Sequence, residues 1–153
     1  MKIAVVTDST AYLTKEELAE YGVYVLPMSV IFGQETYREE IDITAEEFYA
    51  KVKSSPVFPT STQPAVGETY ELFHELAKDY DAIIPITISS GISGTYQTCV
   101  AVAEDMKDEI AIYPIDSEIS CAPQARAVKL AAIMAKSGEY SPEEIVETVQ
   151  RLV

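Results

Sequence analysis

Short apolar runs rich in β-branched residues alternate along the chain with segments of helical periodicity. Three runs predict β-strands: Ile3–Thr7, Ala82–Ile88 and residues 109–116. The run Ala82–Ile88 is almost continuously apolar, which is typical of a strand covered on both faces of a parallel sheet. Val23–Val30 has a similar composition but contains Pro27, which cannot donate to a strand ladder and therefore predicts an edge strand or a broken one.

Helix starts are marked by a Ser or Thr with a Glu three residues later. Thr44 with Glu47 and Ser141 with Glu144 form such capping boxes, and Thr14 is the predicted cap of an earlier helix. Further helices are predicted at residues 65–80, 95–106 and 122–138. An apolar stripe at three- and four-residue spacing defines the helix at 65–80: Val66, Tyr70, Phe73, Ala77 and Tyr80.

The order of these elements predicts the fold class. Strands alternate with helices, and residues 33–42 form a charged excursion between them. This order predicts an α/β domain with an open, mostly parallel sheet flanked by helices and joined by right-handed crossovers. Residues 1–153 are long enough for a single such domain. The last apolar face ends at Val153 without a capping glycine, which predicts a boundary beyond which a second domain is missing.

Charge excludes one class of ligand. The chain has 11 basic and 25 acidic residues, a formal net charge of −14, and no basic cluster, so nucleic acid is an unfavourable partner. The apolar runs are too short to span a membrane, and Asp8 arrives too early for a secretory signal. We therefore expect a cytoplasmic protein without a membrane segment.

Metal and nucleotide motifs are missing from the sequence. Cys99 and Cys121 lack the CxxC spacing of a zinc or redox site and are predicted to be two buried thiols. Four acidic residues in the first half are predicted to form a solvated face: Glu39, Glu40, Glu46 and Glu47. Their spacing does not match that of a metal site. No Walker loop and no GxGxxG loop occurs, so no cofactor is expected.

Two loops dense in hydroxyl groups precede predicted helices: PTSTQP, Pro59–Pro64, and SSGISGT, Ser89–Thr95. Two other strand ends contribute Ser9 and Ser117, and the carboxyl ends of parallel strands meet at one crevice. Any one of these hydroxyls could be an ordinary helix cap. The glycines of SSGISGT, however, let backbone N–H groups approach an anion at a helix N-terminus. Because neither loop contains a lysine, the predicted ligand is a carboxylate rather than a nucleotide phosphate.

Two other functions stay open on the residues alone. A serine-dependent ester hydrolase would need His74, the only histidine, to reach a hydroxyl loop, and the GxSxG spacing is not met around Ser93. Asp8 and Asp116 lie at strand ends, where aspartate commonly stabilises a turn. An interaction domain without a small ligand is the third interpretation.

The motifs together resemble one family. KIAVVTDSTAYL, PTSTQP, SSGISGTYQT and PIDSEIS, in this order and spacing, resemble the DegV family of fatty-acid-binding proteins over the whole chain. The resemblance implies an α/β N-terminal domain and a C-terminal domain, absent here, that helps enclose the acyl chain. It also implies a binding protein rather than an enzyme, which presents a long-chain fatty acid to a separate ATP-dependent fatty-acid kinase for acyl-phosphate formation.

The resemblance also assigns site residues. The GxSGT-like loop carries the carboxylate-binding serine at Ser93, and the TSQP-like loop carries the second hydroxyl. This chain departs from that pattern, because Ser61 stands where threonine is usual and Thr62 where serine is usual. The expected cradle is therefore Ser93, one of these two hydroxyls, and the backbone N–H groups of Gly94 and Thr95.

Overall fold

The computed structural model describes residues 1–153 and contains eight strands and six helices. The strands are β1 Ile3–Asp8, β2 Val23–Leu26, β3 Ser29–Phe32, β4 Glu35–Arg38, β5 Thr60–Thr62, β6 Ala82–Thr87, β7 Ala111–Ile112 and β8 Ile115–Asp116. The helices are α1 Lys15–Tyr21, α2 Ala45–Ser54, α3 Val66–Leu76, α4 Thr95–Asp105, α5 Cys121–Ser137 and α6 Pro142–Gln150. A 3₁₀ turn at Ser9–Ala11 follows β1 directly.

The main sheet is entirely parallel, with strand order β2-β1-β6-β7, and β8 continues the pairing along β6. All residues of β1 and β6 are buried, because helices cover both faces of the sheet. A cluster of 14 buried residues joins the sheet to α5 and α6, and a cluster of 10 joins its other face to α3 and α4. This architecture confirms the predicted open parallel α/β sheet flanked by helices.

A second, smaller sheet is antiparallel, with strand order β4-β3-β5. Pro27 separates β2 from β3, so the apolar run at 23–30 is broken between two sheets. β4 and β5 were not predicted from the sequence. The excursion at 33–42 and the PTSTQP loop each contain a short strand, because both pair with β3 rather than burying apolar faces of their own. Only three buried residues form the core beneath this sheet: Val30, Phe32 and Ile43.

The helix caps follow the sequence closely, whereas the phase of one helix does not. Capping boxes begin α1, α2 and α6. The stripe predicted for α3 is wrong in its first turns, since Val66 is 56% exposed and Tyr70 stacks on His74 at the surface. The buried residues of α3 are Thr69, Phe73 and Leu76, of which only Phe73 belongs to the predicted stripe.

The two cysteines differ in environment. Cys99 is fully buried in α4, and this burial, with a contribution from the nearby Asp8 charge, raises the pKa of its thiol to about 12. Cys121 is exposed at the first position of α5, so the expectation of two buried thiols is wrong for that residue. No helix of the protein combines the length and the apolar composition that crossing a bilayer requires.

Candidate functional site

The hydroxyl-bearing segments meet at the carboxyl edge of the main sheet. Thr7 of β1 pairs with Ile86 of β6, and Thr87 of β6 pairs with Asp116 of β8. Because all these strands are parallel, the 3₁₀ turn, the Ser89–Thr95 loop and the segment after Asp116 emerge on the same side. The fold therefore brings three of the four predicted segments to one edge.

Helices near this edge begin differently from the others. The N-cap residues of α3, α4 and α5 make no side-chain capping bond, although Ser and Thr are abundant in the preceding loops. The helices α1, α2 and α6, by contrast, are all closed by full capping boxes. N-capping by the residue at the helix start consequently does not explain the two hydroxyl-dense loops.

The start of α4 offers both hydroxyls and open N–H groups. The Ser93 and Thr95 hydroxyl oxygens lie 2.9 Å apart and share a hydrogen bond, and the Thr95 N–H donates to Ser93 Oγ at 3.3 Å. The backbone N–H groups of Gly94, Tyr96 and Gln97 donate to no protein acceptor. Three free donors at the positive end of an 11-residue helix, beside a half-buried serine, favour a small anion.

Ser61 and Thr62 lie on opposite faces of the small sheet. Ser61 pairs with Val30 and Thr62 with Ser29 across the antiparallel ladder, and successive residues of a strand alternate in direction. Gln63 directly follows β5 and contacts Gly94 at the start of α4. The Thr95 hydroxyl of α4 donates to Met28 Sδ at 3.6 Å, and Met28 lies two residues before Val30, so the face that carries Val30 and Ser61 is the one turned toward α4.

Ser9 and Ser117 are engaged within the protein. Ser9 Oγ donates to Glu39 at 2.6 Å and accepts the Met28 N–H at 2.9 Å, so an anion at Ser9 would meet a carboxylate. Ser117 is fully buried and its Oγ donates to the Ile119 carbonyl at 3.0 Å, which stabilises a local turn. The geometry thus places both predicted site residues in supporting roles rather than in an open cradle.

Asp8 links β1 to the end of β6 and to α5 at this edge of the sheet. Its carboxylate is fully buried and accepts the Ile88 N–H at 2.7 Å and the Thr10 N–H at 3.0 Å. The Thr10 hydroxyl and the Gln124 amide of α5 donate to the same carboxylate. The turn role proposed for Asp8 from sequence is therefore only part of its function, because it also joins β1 to β6 and to α5.

Asp116 holds the beginning of the glycine-containing loop. Its Oδ1 accepts the Ser90 N–H and the Glu118 N–H, each at 3.0 Å. Partial burial raises the pKa of Asp116, but the hydrogen bonds from Ser90 and Glu118 outweigh it and lower the pKa below the ordinary value of 3.8.

We expect Asp116 to contribute to stability mainly in its ionised form. A carboxyl whose pKa is lowered by folding stabilises the protein above its unfolded pKa, and this contribution is lost as the pH falls through the folded value. Asp116→Ala should therefore destabilise the chain at pH 7 and flatten the loss of stability below about pH 4. Urea unfolding at a series of pH values measures this effect. The prediction is contradicted if the free energy of unfolding falls equally steeply with decreasing pH in wild type and in Asp116→Ala.

A cavity beside the edge was not predicted from sequence. It has a volume of about 320 Å³ and lies between the 3₁₀ turn, the start of α1 and the segment at 39–41. Tyr12 and Glu39 line both this cavity and a smaller neighbour of about 90 Å³ that also contacts Val30. Tyr12 has a positive φ of 51°, and a non-glycine residue in that conformation gives no clear sequence signal.

His74 is remote from the hydroxyl loops. Its Nδ1 lies 3.1 Å from Glu109, which follows the C-terminal end of α4, whereas Ser93 precedes the N-terminal end. The 11 residues of α4 span about 15 Å between those ends. His74 cannot serve Ser93 as a general base across this distance, so the geometry gives the hydrolase interpretation no support.

Comparisons with known proteins agree on one family. The model of the DegV family, described as uncharacterised proteins, matches residues 2–153. Protein DegV of Bacillus subtilis (strain 168) is 47% identical over 152 residues, which are 99% of this chain and 54% of the relative. The chain thus spans about half the length of the curated relatives it matches.

Solved structures carry the same likeness. The crystal structure of Bacillus subtilis DegV, a fatty acid binding protein, matches with a TM-score of 0.94 and 46% identity over 99% of this chain and 53% of that one. A DegV family protein from Thermus thermophilus, described for its fatty acid binding, has a TM-score of 0.89, 28% identity and coverage of 99% and 53%.

A third structure names its ligand, a stearic acid-binding protein from Eubacterium ventriosum ATCC 27560, with a TM-score of 0.87, 27% identity and coverage of 97% and 52%. The family model and the 47% identical relative cover nearly all of this chain, and the folds superpose closely. By its sequence and its fold, the chain is a member of the DegV family.

Proposed function

We propose that this chain binds a long-chain fatty acid and fixes its carboxylate at the N-terminus of α4. The observation that carries the proposal is the set of three unpartnered N–H groups at Gly94, Tyr96 and Gln97 beside the Ser93 hydroxyl. The solved relatives that bind fatty acids support it. Neutral donors without a lysine suit a singly charged head group.

The acyl tail and the carboxylate should contribute unequally to the binding free energy. Burying about fifteen methylene groups contributes roughly 12 kcal/mol before entropic costs. Each charge-assisted hydrogen bond to the carboxylate adds about 1.5–3 kcal/mol, largely offset by desolvation. The tail therefore dominates affinity, and the cradle determines where the carboxylate lies.

The acid would be enclosed by more than this domain. The matched relatives are about twice as long as this chain. We propose that a second domain, for which the relatives have sufficient additional length, encloses the rest of the acyl chain. The positioned carboxylate would then be presented to a separate ATP-dependent fatty-acid kinase and leave as an acyl phosphate.

Extraction of the purified protein tests the proposal. Mass spectrometry of an organic extract, with native mass spectrometry of the intact chain, should show one long-chain acid per protein molecule. The same measurement is made on a chain that includes the second domain. An absence of acid in both, with no uptake of added palmitate, would leave an interaction domain without a small ligand.

We expect Ser61, rather than Thr62, to contact the carboxylate, because Ser61 pairs with Val30 on the face where Met28 contacts Thr95 of α4. The readout is the ratio of affinities for palmitate and 1-hexadecanol, which share a tail and differ in head group. Ser61→Ala should lower this ratio about tenfold, the equivalent of one charge-assisted hydrogen bond, and Thr62→Val should leave it unchanged. A larger effect at Thr62 would reverse the assignment.

A further inference from the structure

The side chain of Gln63 crosses from the end of β5 to the first turns of α4. Its Nε2 donates to Thr98 Oγ1 at 2.8 Å, and Thr98 is 5% exposed. This hydrogen bond joins the PTSTQP segment to the helix that follows SSGISGT, across 35 positions of sequence. The two hydroxyl loops are therefore connected through one carboxamide.

The carboxamide of Gln63 packs against Gly94. A β-carbon at position 94 would lie 2.0 Å from Gln63 Oε1 and 3.0 Å from Gln63 Cδ, which is closer than atoms can approach. The backbone angles of Gly94, φ −83° and ψ 6°, are open to other amino acids, so its conformation does not require glycine. The second glycine of SSGISGT leaves room for the Gln63 carboxamide, which a β-carbon at position 94 would displace.

We infer that Gln63 is a positioning residue, which fixes the spacing between the Ser61 and Ser93 hydroxyls before any ligand binds. Gln63 follows Ser61 by two residues, and its contact, Gly94, directly follows Ser93. Locking this carboxamide between Gly94 and Thr98 holds both hydroxyls at one separation, which lowers the cost of ordering them around a carboxylate. The inference rests on the proposed function, since its consequence is the placement of the acid head group.

Four variants separate positioning from general stability. Gln63→Met keeps the length of the side chain and removes the amide, and Thr98→Val removes the acceptor with little change of shape. Gly94→Ala displaces the carboxamide while leaving its donor intact. Gly91→Ala is the matched control, because the nearest atom to a β-carbon there, Ser89 Oγ, lies at an ordinary 3.4 Å.

The probe is [1-¹³C]palmitate, observed through the carboxyl resonance of the bound acid and its pH titration. Hydrogen bonds to an ionised carboxylate lower its pKa, so misplaced donors should raise the titration midpoint in Gln63→Met by more than about half a pH unit. Palmitate affinity should change less than about threefold, because the tail dominates it. Thr98→Val and Gly94→Ala should shift the carboxyl resonance as well. The double variant Gln63→Met/Thr98→Val should shift it no further than either single variant does. Gly91→Ala should resemble wild type.

A merely structural role for Gln63 would lower the midpoint of urea unfolding without moving the carboxyl resonance. Bound palmitate with an unchanged resonance and titration in Gln63→Met therefore overturns the inference, whatever the stability of the variant. Failure of the proposed function is recognised separately, because wild-type protein would then show no bound palmitate resonance at all.

Discussion

Replacing Asp8 with alanine is expected to lower the free energy of unfolding by about 3–5 kcal/mol. The Asp8 carboxylate is fully buried and accepts the N–H groups of Ile88 and Thr10. Its removal leaves those two N–H groups without an acceptor and deprives the Gln124 amide of one of its two, and each unsatisfied group costs about 1–3 kcal/mol. The loss is a large share of the 5–15 kcal/mol that is usual for a domain.

Urea denaturation measures this effect. Asp8→Asn, which retains one acceptor oxygen, should lie between wild type and Asp8→Ala. Asp79→Ala is the control, because Asp79 is exposed on the loop before β6 and its loss should cost less than about 0.5 kcal/mol. A change below about 1 kcal/mol in Asp8→Ala would show that the donors find other partners or water.

Ser93→Ala is expected to leave the fold intact and to impair the handling of the acid head group. The Ser93 hydroxyl bonds the Thr95 hydroxyl and accepts the Thr95 N–H at the start of α4, so its loss removes a donor and frees its neighbours. The preference for palmitate over 1-hexadecanol should fall about 10- to 100-fold. With an ATP-dependent fatty-acid kinase, acyl-phosphate formation should slow about 100-fold, the usual cost of misplacing a reacting group by about 1 Å.

The control for Ser93→Ala lies in the same loop. Ser90→Ala removes a hydroxyl that lies beside the Asp116 carboxylate rather than at the start of α4. Ser90→Ala should keep the preference for the acid, and thermal unfolding of both variants should stay close to that of wild type. Equal rates of phosphorylation for Ser93→Ala and wild type would remove Ser93 from the site.

Local rules explain what the sequence could predict about the fold. The capping boxes at Thr44 and Ser141 depend only on residues three positions apart, and both helices begin there. β1 and β6 are apolar over their whole length, which is sufficient to identify buried parallel strands. β5 has no such pattern, because Thr60–Thr62 is exposed and becomes a strand only by pairing with β3.

The site was predictable in its position but not in its internal connections. Hydroxyl loops at the ends of parallel strands indicate a crevice, and Ser93 lies at the open start of α4. The choice between Ser61 and Thr62 requires the register of β3 with β5, which only the folded chain provides. Likewise, the sequence does not distinguish a glycine needed for a left-handed turn from one, such as Gly94, that admits a neighbouring side chain.

The small core beneath the antiparallel sheet has a kinetic consequence. Three buried residues hold β4-β3-β5, whereas clusters of 14 and 10 hold the main sheet. Because local stability follows the apolar area that a unit buries, this sheet should open at a lower free energy than β1 and β6. Each opening moves Ser61 away from Ser93 while the main sheet stays folded. The residence time of a bound acid would then be governed by how often this small sheet opens.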